Sequence, residues 1–142
     1  NFMNQLNQML SYVQLPLRMN QQNAHGELYV YTKKKNLTSK NGNLSALLHL
    51  EMDNLGTMDI YVSMQNSKVS THFYMQDEKT LDFIEQHIHL LNERLQKKGY
   101  QMNTSVSVKD VSEQKSMAEE FLKSSEKTSV PVVSKLSFDV RA

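Results

Sequence analysis

Cysteine is absent from the 142 residues of this chain. Its absence excludes disulfides, thiolate nucleophiles and every zinc site that is built on sulfur, so the fold depends on packing alone. Two prolines and four glycines leave little room for a low-complexity linker, and the sequence contains no internal repeat. We therefore expect residues 1–142 to form one continuous domain of ordinary size.

The chain also lacks a charge excess and a long apolar run. Sixteen Lys and Arg residues against fifteen Asp and Glu residues leave a net charge of +1, which attracts neither a polyanion nor an anionic membrane. No window reaches the roughly 18 consecutive apolar residues of a membrane span, and no basic-then-apolar leader opens the chain. We expect no membrane insertion. Because the first residue is Asn1 rather than Met, we expect the chain to be the C-terminal part of a longer protein.

Residues 1–43 predict an N-terminal extension with a pair of strands. The apolar residues of the first strand alternate with polar ones: Val13, Leu15, Leu17 and Met19. This period of two is typical of a half-buried strand, and Pro16 favours an edge position. The β-favouring residues 27–32 predict the second strand, which we expect to pair with the first.

Three further strands are predicted in quick succession. Residues 44–51 place alternate leucines on one face, and residues 58–64 and 69–75 repeat the same alternation on either side of a turn at residues 65–67. The two later segments therefore predict a β-hairpin.

A long amphipathic helix follows the hairpin. Asp77 is a good N-cap, Glu78 suits the first turn, and Gly99 can adopt the left-handed conformation that ends a helix. The apolar residues recur every three or four positions: Leu81, Ile84, Ile88, Leu91 and Leu95. We therefore predict a helix from about Glu78 to Lys98 and, from the alternation after it, a strand over residues 100–108.

The C-terminal segment, residues 111–142, predicts a short helix and a final strand. The capping-box spacing from Asp110 to Glu113 begins a helix that reaches about Ser124, and residues 136–140 alternate like a strand that returns to the sheet. The summed order is β-β-β-β-β-α-β followed by helix and strand. It predicts an α+β fold in which one long helix packs on one face of a mainly antiparallel, mixed sheet.

Histidines and carboxylates are the candidates for chemistry. His87 and His89 are about 200° apart on the predicted helix and cannot face one metal ion, and His49 and His72 lack a third ligand at a recognisable spacing. We expect no metal and no cofactor. A hydrolase that uses Asp53 or Asp59 with His49 or His72 is a further hypothesis, but turn chemistry is sufficient to explain the Asp53 region. The sequence has no phosphate loop, HExxH or nucleophile elbow, so we expect no catalytic residue and no enzyme.

One basic patch lies beside aromatic residues. Tyr29 and Tyr31 precede the run Lys33, Lys34 and Lys35. Such a surface can bind phosphates and stack bases, which makes a small nucleic-acid-binding domain the alternative function. The alternative interpretation, which involves no ligand, is that these lysines discourage edge-to-edge aggregation of a strand.

Residues 48–108 resemble the C-terminal domain of flagellar hook-length control proteins. That family's pattern is a strand with alternating leucines, a Leu-Gly pair, a hairpin, a long helix that ends in Gly, and a closing strand. The corresponding residues here are Leu48, Leu50, Leu55, Gly56 and Gly99. The chain has Met52 where the family often has Pro, and Tyr100 where the family commonly has Leu, so it resembles a divergent member.

The resemblance implies a role in assembly of the bacterial flagellum. Such proteins control hook length and are themselves exported from the cytoplasm through the flagellar type III apparatus. Their C-terminal domain contacts the cytoplasmic domain of the export-gate switch protein, which changes export from rod and hook subunits to filament subunits, and hook or hook-cap proteins are further implied partners. The five motif residues are then fold-defining rather than reactive, which suits a protein-interaction domain without a small-molecule substrate.

Overall fold

The computed structural model describes residues 7, 10, 11, 14, 17, 18, 21–33, 43–126 and 131–142, without the side chains of residues 33, 91, 125, 126 and 131–134. This part of the chain contains six continuous strands and two continuous helices, besides the separate helical residues before residue 19. In chain order they are β1 Ala24–Lys33, β2 Asn43–Met52, β3 Gly56–Gln65, β4 Lys68–Met75, α1 Glu78–Lys97, β5 Gln101–Val108, α2 Val111–Glu126 and β6 Pro131–Val140.

All six strands form one mixed sheet in the order β5-β4-β3-β2-β1-β6. Every neighbouring pair is antiparallel except β4 and β5, which are parallel because α1 carries the chain back between them. The predicted α+β class with a mainly antiparallel sheet is confirmed.

The central strands bury one complete face of the sheet. In register across β1 to β4, Leu28 lies opposite Leu48, Leu48 opposite Ile60, and Ile60 opposite Phe73, so these residues share what we call the α1 face. All four are buried in the hydrophobic core. The predicted alternation and the predicted hairpin are therefore confirmed, with Asn66 adopting a positive φ of 56° in the tight turn.

Helix α1 covers this face and begins and ends nearly where the sequence predicts. The Asp77 side chain accepts a hydrogen bond of 2.8 Å from the backbone N–H of Thr80, which caps the helix and lowers the pKa of the Asp77 carboxyl. Gly99 has a φ of 86° just after the last turn. Four of the predicted apolar residues pack in or against the core: Leu81, Ile84, Ile88 and Leu95. The side chain of Leu91 lies outside the described residues.

Helix α2 packs on the opposite face of the sheet. The Phe121 ring makes edge-on contacts with Tyr31 of β1 and Tyr61 of β3, at ring-centroid distances of 5.6 and 5.4 Å. Because these tyrosines alternate with the core residues along their strands, they define a second face, which we call the α2 face. Leu47 of β2 points to this face and is also buried, so the sheet has helices on both sides.

The predicted strand over residues 13–19 is wrong where the structure describes it. Gln14, Leu17 and Arg18 are helical, and Leu10 and Leu17 are buried in the core. These two leucines are seven residues apart, which is two helical turns, so a helix places both on one side. Val13, Leu15, Pro16 and Met19 lie outside the described residues. Among the described residues before Asn43, the N-terminal extension thus contributes the single strand β1.

Strand β1 pairs with β2 and with the C-terminal strand β6 rather than with an N-terminal partner. The predicted return of the final strand to the sheet is confirmed, and it is longer than the alternation over residues 136–140 indicates. Gly26 lies opposite Phe138 in this pairing. A Cβ atom at Gly26 would lie 2.8 Å from Cε1 of the Phe138 ring, so glycine leaves the space that the ring occupies.

Candidate functional site

Two of the residues considered for a hydrolase come together on the α2 face. His49 of β2 lies opposite Asp59 of β3, and its Nδ1 donates a hydrogen bond of 2.5 Å to Oδ1 of Asp59. Asp53 is exposed in the turn between these strands, and His72 bonds instead to the hydroxyl of Ser105 on β5. The structure therefore joins one His–Asp pair and separates the other two candidates from it.

The pairing changes the proton affinity of the imidazole. The hydrogen bond to Asp59 raises the pKa of His49 from 6.5 to about 8, against partial burial, which lowers it. Oε1 of Glu51 lies 3.3 Å from Nε2 on the other side of the ring. His49 therefore lies between two carboxylates and is held in its charged form at neutral pH.

A second histidine–carboxylate pair lies on the same face, nearer the β6 edge of the sheet. Nδ1 of His25 on β1 donates to Oδ1 of Asp139 on β6 at 2.9 Å, which raises the pKa of His25 and lowers that of Asp139. Tyr29 donates a hydrogen bond of 2.7 Å to Glu27, which raises the pKa of Tyr29 to about 12. We call this surface the polar row and define it by its ionisable residues: His25, Glu27, His49, Glu51, Asp59 and Asp139.

The polar row is a set of paired charges across strands rather than a metal centre. Among residues 43–126 and the other described positions, no group of three or more His, Cys, Asp or Glu side chains is arranged to hold a metal ion. The two helical histidines have separate surroundings: Nδ1 of His87 donates to the Phe83 carbonyl at 2.8 Å, and His89 is exposed.

The structure describes the two tyrosines of the predicted basic and aromatic patch but not its lysine side chains. Tyr31 is only 7% exposed because the Phe121 ring covers it, so it cannot stack on a base. Tyr29 is half-buried, with the ammonium group of Lys135 5.4 Å above the centre of its ring. Lys34 and Lys35 lie outside the described residues, as does the side chain of Lys33. The prediction that Tyr29 and Tyr31 form one stacking surface is wrong because α2 packs on Tyr31.

The motif residues of the predicted family lie in the core and in turns. Leu48, Leu50 and Leu55 are buried, and Gly99 ends α1. Gly56 begins β3 with a φ of 75°, a conformation that glycine adopts at little cost. These positions explain the motif as a set of packing and turn requirements.

The Leu55–Gly56 turn is held by two other elements. The backbone N–H of Asn54 donates a hydrogen bond of 3.1 Å to Oε1 of the buried Gln22. Oγ1 of Thr80, in the first turn of α1, donates to Oδ1 of Asp77 at 2.8 Å and also lies 3.4 Å from the Leu55 carbonyl oxygen. The motif therefore fixes where the β2–β3 hairpin meets the start of α1.

Within the described residues, one side of β5 has no strand partner, a feature that sequence reasoning missed. Strand β5 is an end strand of the sheet, and its last residue Val108 is followed closely by Val111, which is 61% exposed. These two valines are among the few large apolar residues exposed in the described part of the chain. The absence of charged residues in the segment 101–108 is the signal that indicates an unguarded edge.

Comparison with known proteins places this fold and its motif in a family. The family model described as flagellar hook-length control protein FliK matches residues 32–117. The match runs from the end of β1 into α2 and includes the whole of the predicted segment 48–108. The chain belongs to the flagellar hook-length control family. Searches of curated proteins and of solved structures found no match.

The described helices give no indication of a membrane span. Neither α1 nor α2 is long and apolar enough to cross a bilayer, and the same holds for the other helical residues that the structure describes.

Proposed function

We propose that this chain is a protein-interaction domain that acts by binding rather than by catalysis. The observation that carries the proposal is the family match over residues 32–117, which covers β2 to β5 and α1 completely. The motif residues support it because they are buried or lie in turns, where they shape a surface for a partner and present no reactive atom.

The partner is the cytoplasmic domain of the flagellar export-gate switch protein, and hook or hook-cap proteins are further partners. Binding changes the preference of the type III export apparatus from rod and hook subunits to filament subunits once the hook has its length. The protein acts on the cytoplasmic side of the apparatus and is itself exported through it.

The nucleic-acid alternative requires an exposed aromatic surface for base stacking, and Tyr31 does not provide one because Phe121 covers it.

The hydrolase alternative retains only the His49–Asp59 pair. In that pair the imidazole already has a carboxylate on each side, with Glu51 completing the arrangement. This arrangement favours a structural charge pair over a free general base.

A binding measurement tests the proposed function directly. The whole chain is titrated into the purified cytoplasmic domain of the export-gate switch protein from the same organism, and the heat of binding is recorded at low and moderate salt. We expect saturable binding of defined stoichiometry. Absence of saturable binding at both salt concentrations would contradict the proposal.

A cellular measurement tests the consequence of binding. In cells whose hook-length control protein lacks residues 32–117, we expect secretion of hook subunits to continue and secretion of filament subunits to fall, with hooks of uncontrolled length. Normal hooks and normal filament export in those cells would show that this domain has another function.

A further inference from the structure

We propose that the free edge of β5 is the docking site for an extended segment of the partner protein, which adds to the sheet as a further strand. The identity of that partner rests on the proposed function, whereas the geometry of the edge does not. Within the described residues, no strand pairs with the outer side of β5.

Two backbone hydrogen bonds define which groups of β5 face outward. The N–H of Gln101 donates to the Ser67 carbonyl and the N–H of Lys109 donates to the Met75 carbonyl, each at 2.8 Å. Alternate residues of a strand direct their N–H and C=O groups to opposite sides, so the odd-numbered positions face β4. The outward positions are therefore Met102, Thr104, Val106 and Val108, each with an N–H and a C=O for an added strand.

The two end strands of the sheet differ in the residues that discourage addition of a further strand. Strand β6 begins with Pro131 and carries Lys135 and Asp139, and proline and charged side chains are common means of discouraging strand addition. Strand β5 contains neither proline nor any charged residue in the segment QMNTSVSV. The edge at β5 is therefore the one that accepts a strand.

The side chains of β5 define the pattern of the incoming segment. Phe73 pairs with Val106 in register, so the even-numbered residues of β5 lie on the α1 face, where Met102 and Val106 pack against the core. The odd-numbered residues lie on the α2 face and are polar: Gln101, Asn103, Ser105 and Ser107. A segment that alternates apolar and polar residues matches both faces, and an apolar residue beside Val108 covers its exposed surface.

Charges at the two ends of the edge define the ends of the segment. The exposed Lys97 ends α1 shortly before the Gln101 end of β5. The exposed carboxylates of Asp110 and Glu113 follow the Val108 end, where Glu113 pairs with Lys109 at 3.7 Å. Opposite charges across neighbouring strands are favourable and like charges are unfavourable. The occupant is therefore an extended partner segment with an uncharged, alternating middle and an acidic residue at the end that lies beside Gln101, where it complements Lys97.

Backbone amide exchange in the complex tests strand addition residue by residue. The probe is the purified cytoplasmic domain of the export-gate switch protein, added to the whole isotope-labelled chain, with exchange followed by NMR. We expect the amides of residues 102, 104, 106 and 108 to exchange more slowly in the complex, while residues 101, 103, 105 and 107 change little because they already bond to β4. Uniform protection of β5, or protection elsewhere only, would overturn the proposal.

Proline substitutions provide a matched pair of variants. Thr104→Pro removes an outward N–H and directs the proline ring at the incoming strand, and the Thr104 hydroxyl has no partner in the described structure that would be lost. Ser137→Pro makes the corresponding change on β6. The N–H of Asp53 donates to the Asn23 carbonyl, so the backbone groups of odd-numbered β1 residues face β2 and those of even-numbered residues face β6. Because Ser137 pairs with the odd-numbered Glu27, the N–H and C=O of Ser137 face outward. We expect Thr104→Pro to weaken binding by about tenfold or more and Ser137→Pro to leave it unchanged.

The outcomes separate this inference from the proposed function. If the unmodified chain does not bind the probe, both fail. If it binds and Thr104→Pro binds equally well, the function stands and the docking site is overturned. If Thr104→Pro does not fold, Val108→Lys places a charge on the same edge, and binding unaffected by it also overturns the site.

Sedimentation of the chain alone detects dimers. A dimer lost in Thr104→Pro would assign the edge to a second copy and overturn the proposal.

Discussion

His49 and Asp59 form a hydrogen bond of 2.5 Å between Nδ1 and Oδ1, directly across strands β2 and β3. The Asp59 side chain is only 3% exposed, whereas that of His49 is 29% exposed. A carboxylate this deeply buried requires a partner, because an unpaired buried charge is costly. Within the polar row, the pair therefore joins a buried carboxylate to a partly exposed imidazole.

The pair makes the stability of the fold depend on pH. Folding raises the pKa of His49 from 6.5 to about 8, so the folded state binds this proton more tightly than the unfolded state. The resulting stabilisation is fully present below pH 6.5 and is lost as the pH rises through about 8. We expect it to contribute up to about 2 kcal/mol to the free energy of unfolding, measured by urea denaturation at a series of pH values.

Asp59→Asn is the variant that tests this prediction, because it keeps the shape of the side chain and removes its charge. The difference in free energy of unfolding between the original chain and Asp59→Asn is expected to shrink as the pH rises from 6.5 to 8. Asp53→Asn, at the exposed turn, serves as the control and is expected to leave the NMR titration of His49 unchanged. A constant difference between the original chain and Asp59→Asn would contradict the assignment.

Gly26→Ala is expected to weaken the attachment of β6. The added methyl group would lie 2.8 Å from Cε1 of Phe138, which must move the ring out of the core edge that it packs against. Overpacking of this kind costs about 1 to 3 kcal/mol, which thermal or urea unfolding can measure.

A second substitution distinguishes the contact with Phe138 from a general effect of alanine. Phe138→Leu removes the ring edge, so Gly26→Ala in that background should cost less than in the original chain. The interaction energy from this double-mutant cycle is expected to be at least about 0.5 kcal/mol. Additive effects of the two changes would show that the ring does not restrict position 26.

Local periodicity was sufficient to predict the central strands and the long helix. Strands β2, β3 and β4 each bury every second residue, and α1 combines an Asp77 cap, a three-and-four apolar repeat and a terminal Gly99. Each of these signals lies within one element, so it can be interpreted without knowledge of the partners.

The features that were missed depend on contacts between distant segments. The residues around Leu17 alternate like a strand, but burial of Leu17 together with Leu10 favours a helix against the sheet. Nothing in the sequence around Tyr31 indicates that its ring is covered, because the covering residue, Phe121 of α2, lies 90 positions later in the chain. The His49–Asp59 pair requires the register of two strands. Composition predicts none of these relationships, because each one is set by tertiary packing.

Gln114 is expected to anchor α2 to the sheet. Its buried side-chain amide donates hydrogen bonds to the backbone carbonyls of Tyr74 and Thr57, at 2.9 and 3.2 Å. Gln114→Ala leaves both carbonyls without this donor, which is expected to lower the free energy of unfolding by about 1 to 3 kcal/mol. Lys115→Ala, at an exposed position of the same helix, is the control and should have little effect. Equal stability of the two variants would show that α2 is held by other contacts.

Two leucines of α1 test whether the helix is oriented as the structure places it. Leu95 is 2% exposed and packs in the core, whereas Leu90 is 45% exposed on the outer side of the helix. Leu95→Ala removes a buried side chain and leaves a cavity, so we expect a loss of about 2 to 5 kcal/mol in the free energy of unfolding. Leu90→Ala makes the same chemical change at the surface and is expected to stay within about 0.5 kcal/mol of the original chain. Because alanine has the higher helix propensity at both positions, a difference between the two variants in urea denaturation reports burial alone. Similar losses at both positions would mean that the outer side of α1 is itself covered by another part of the protein.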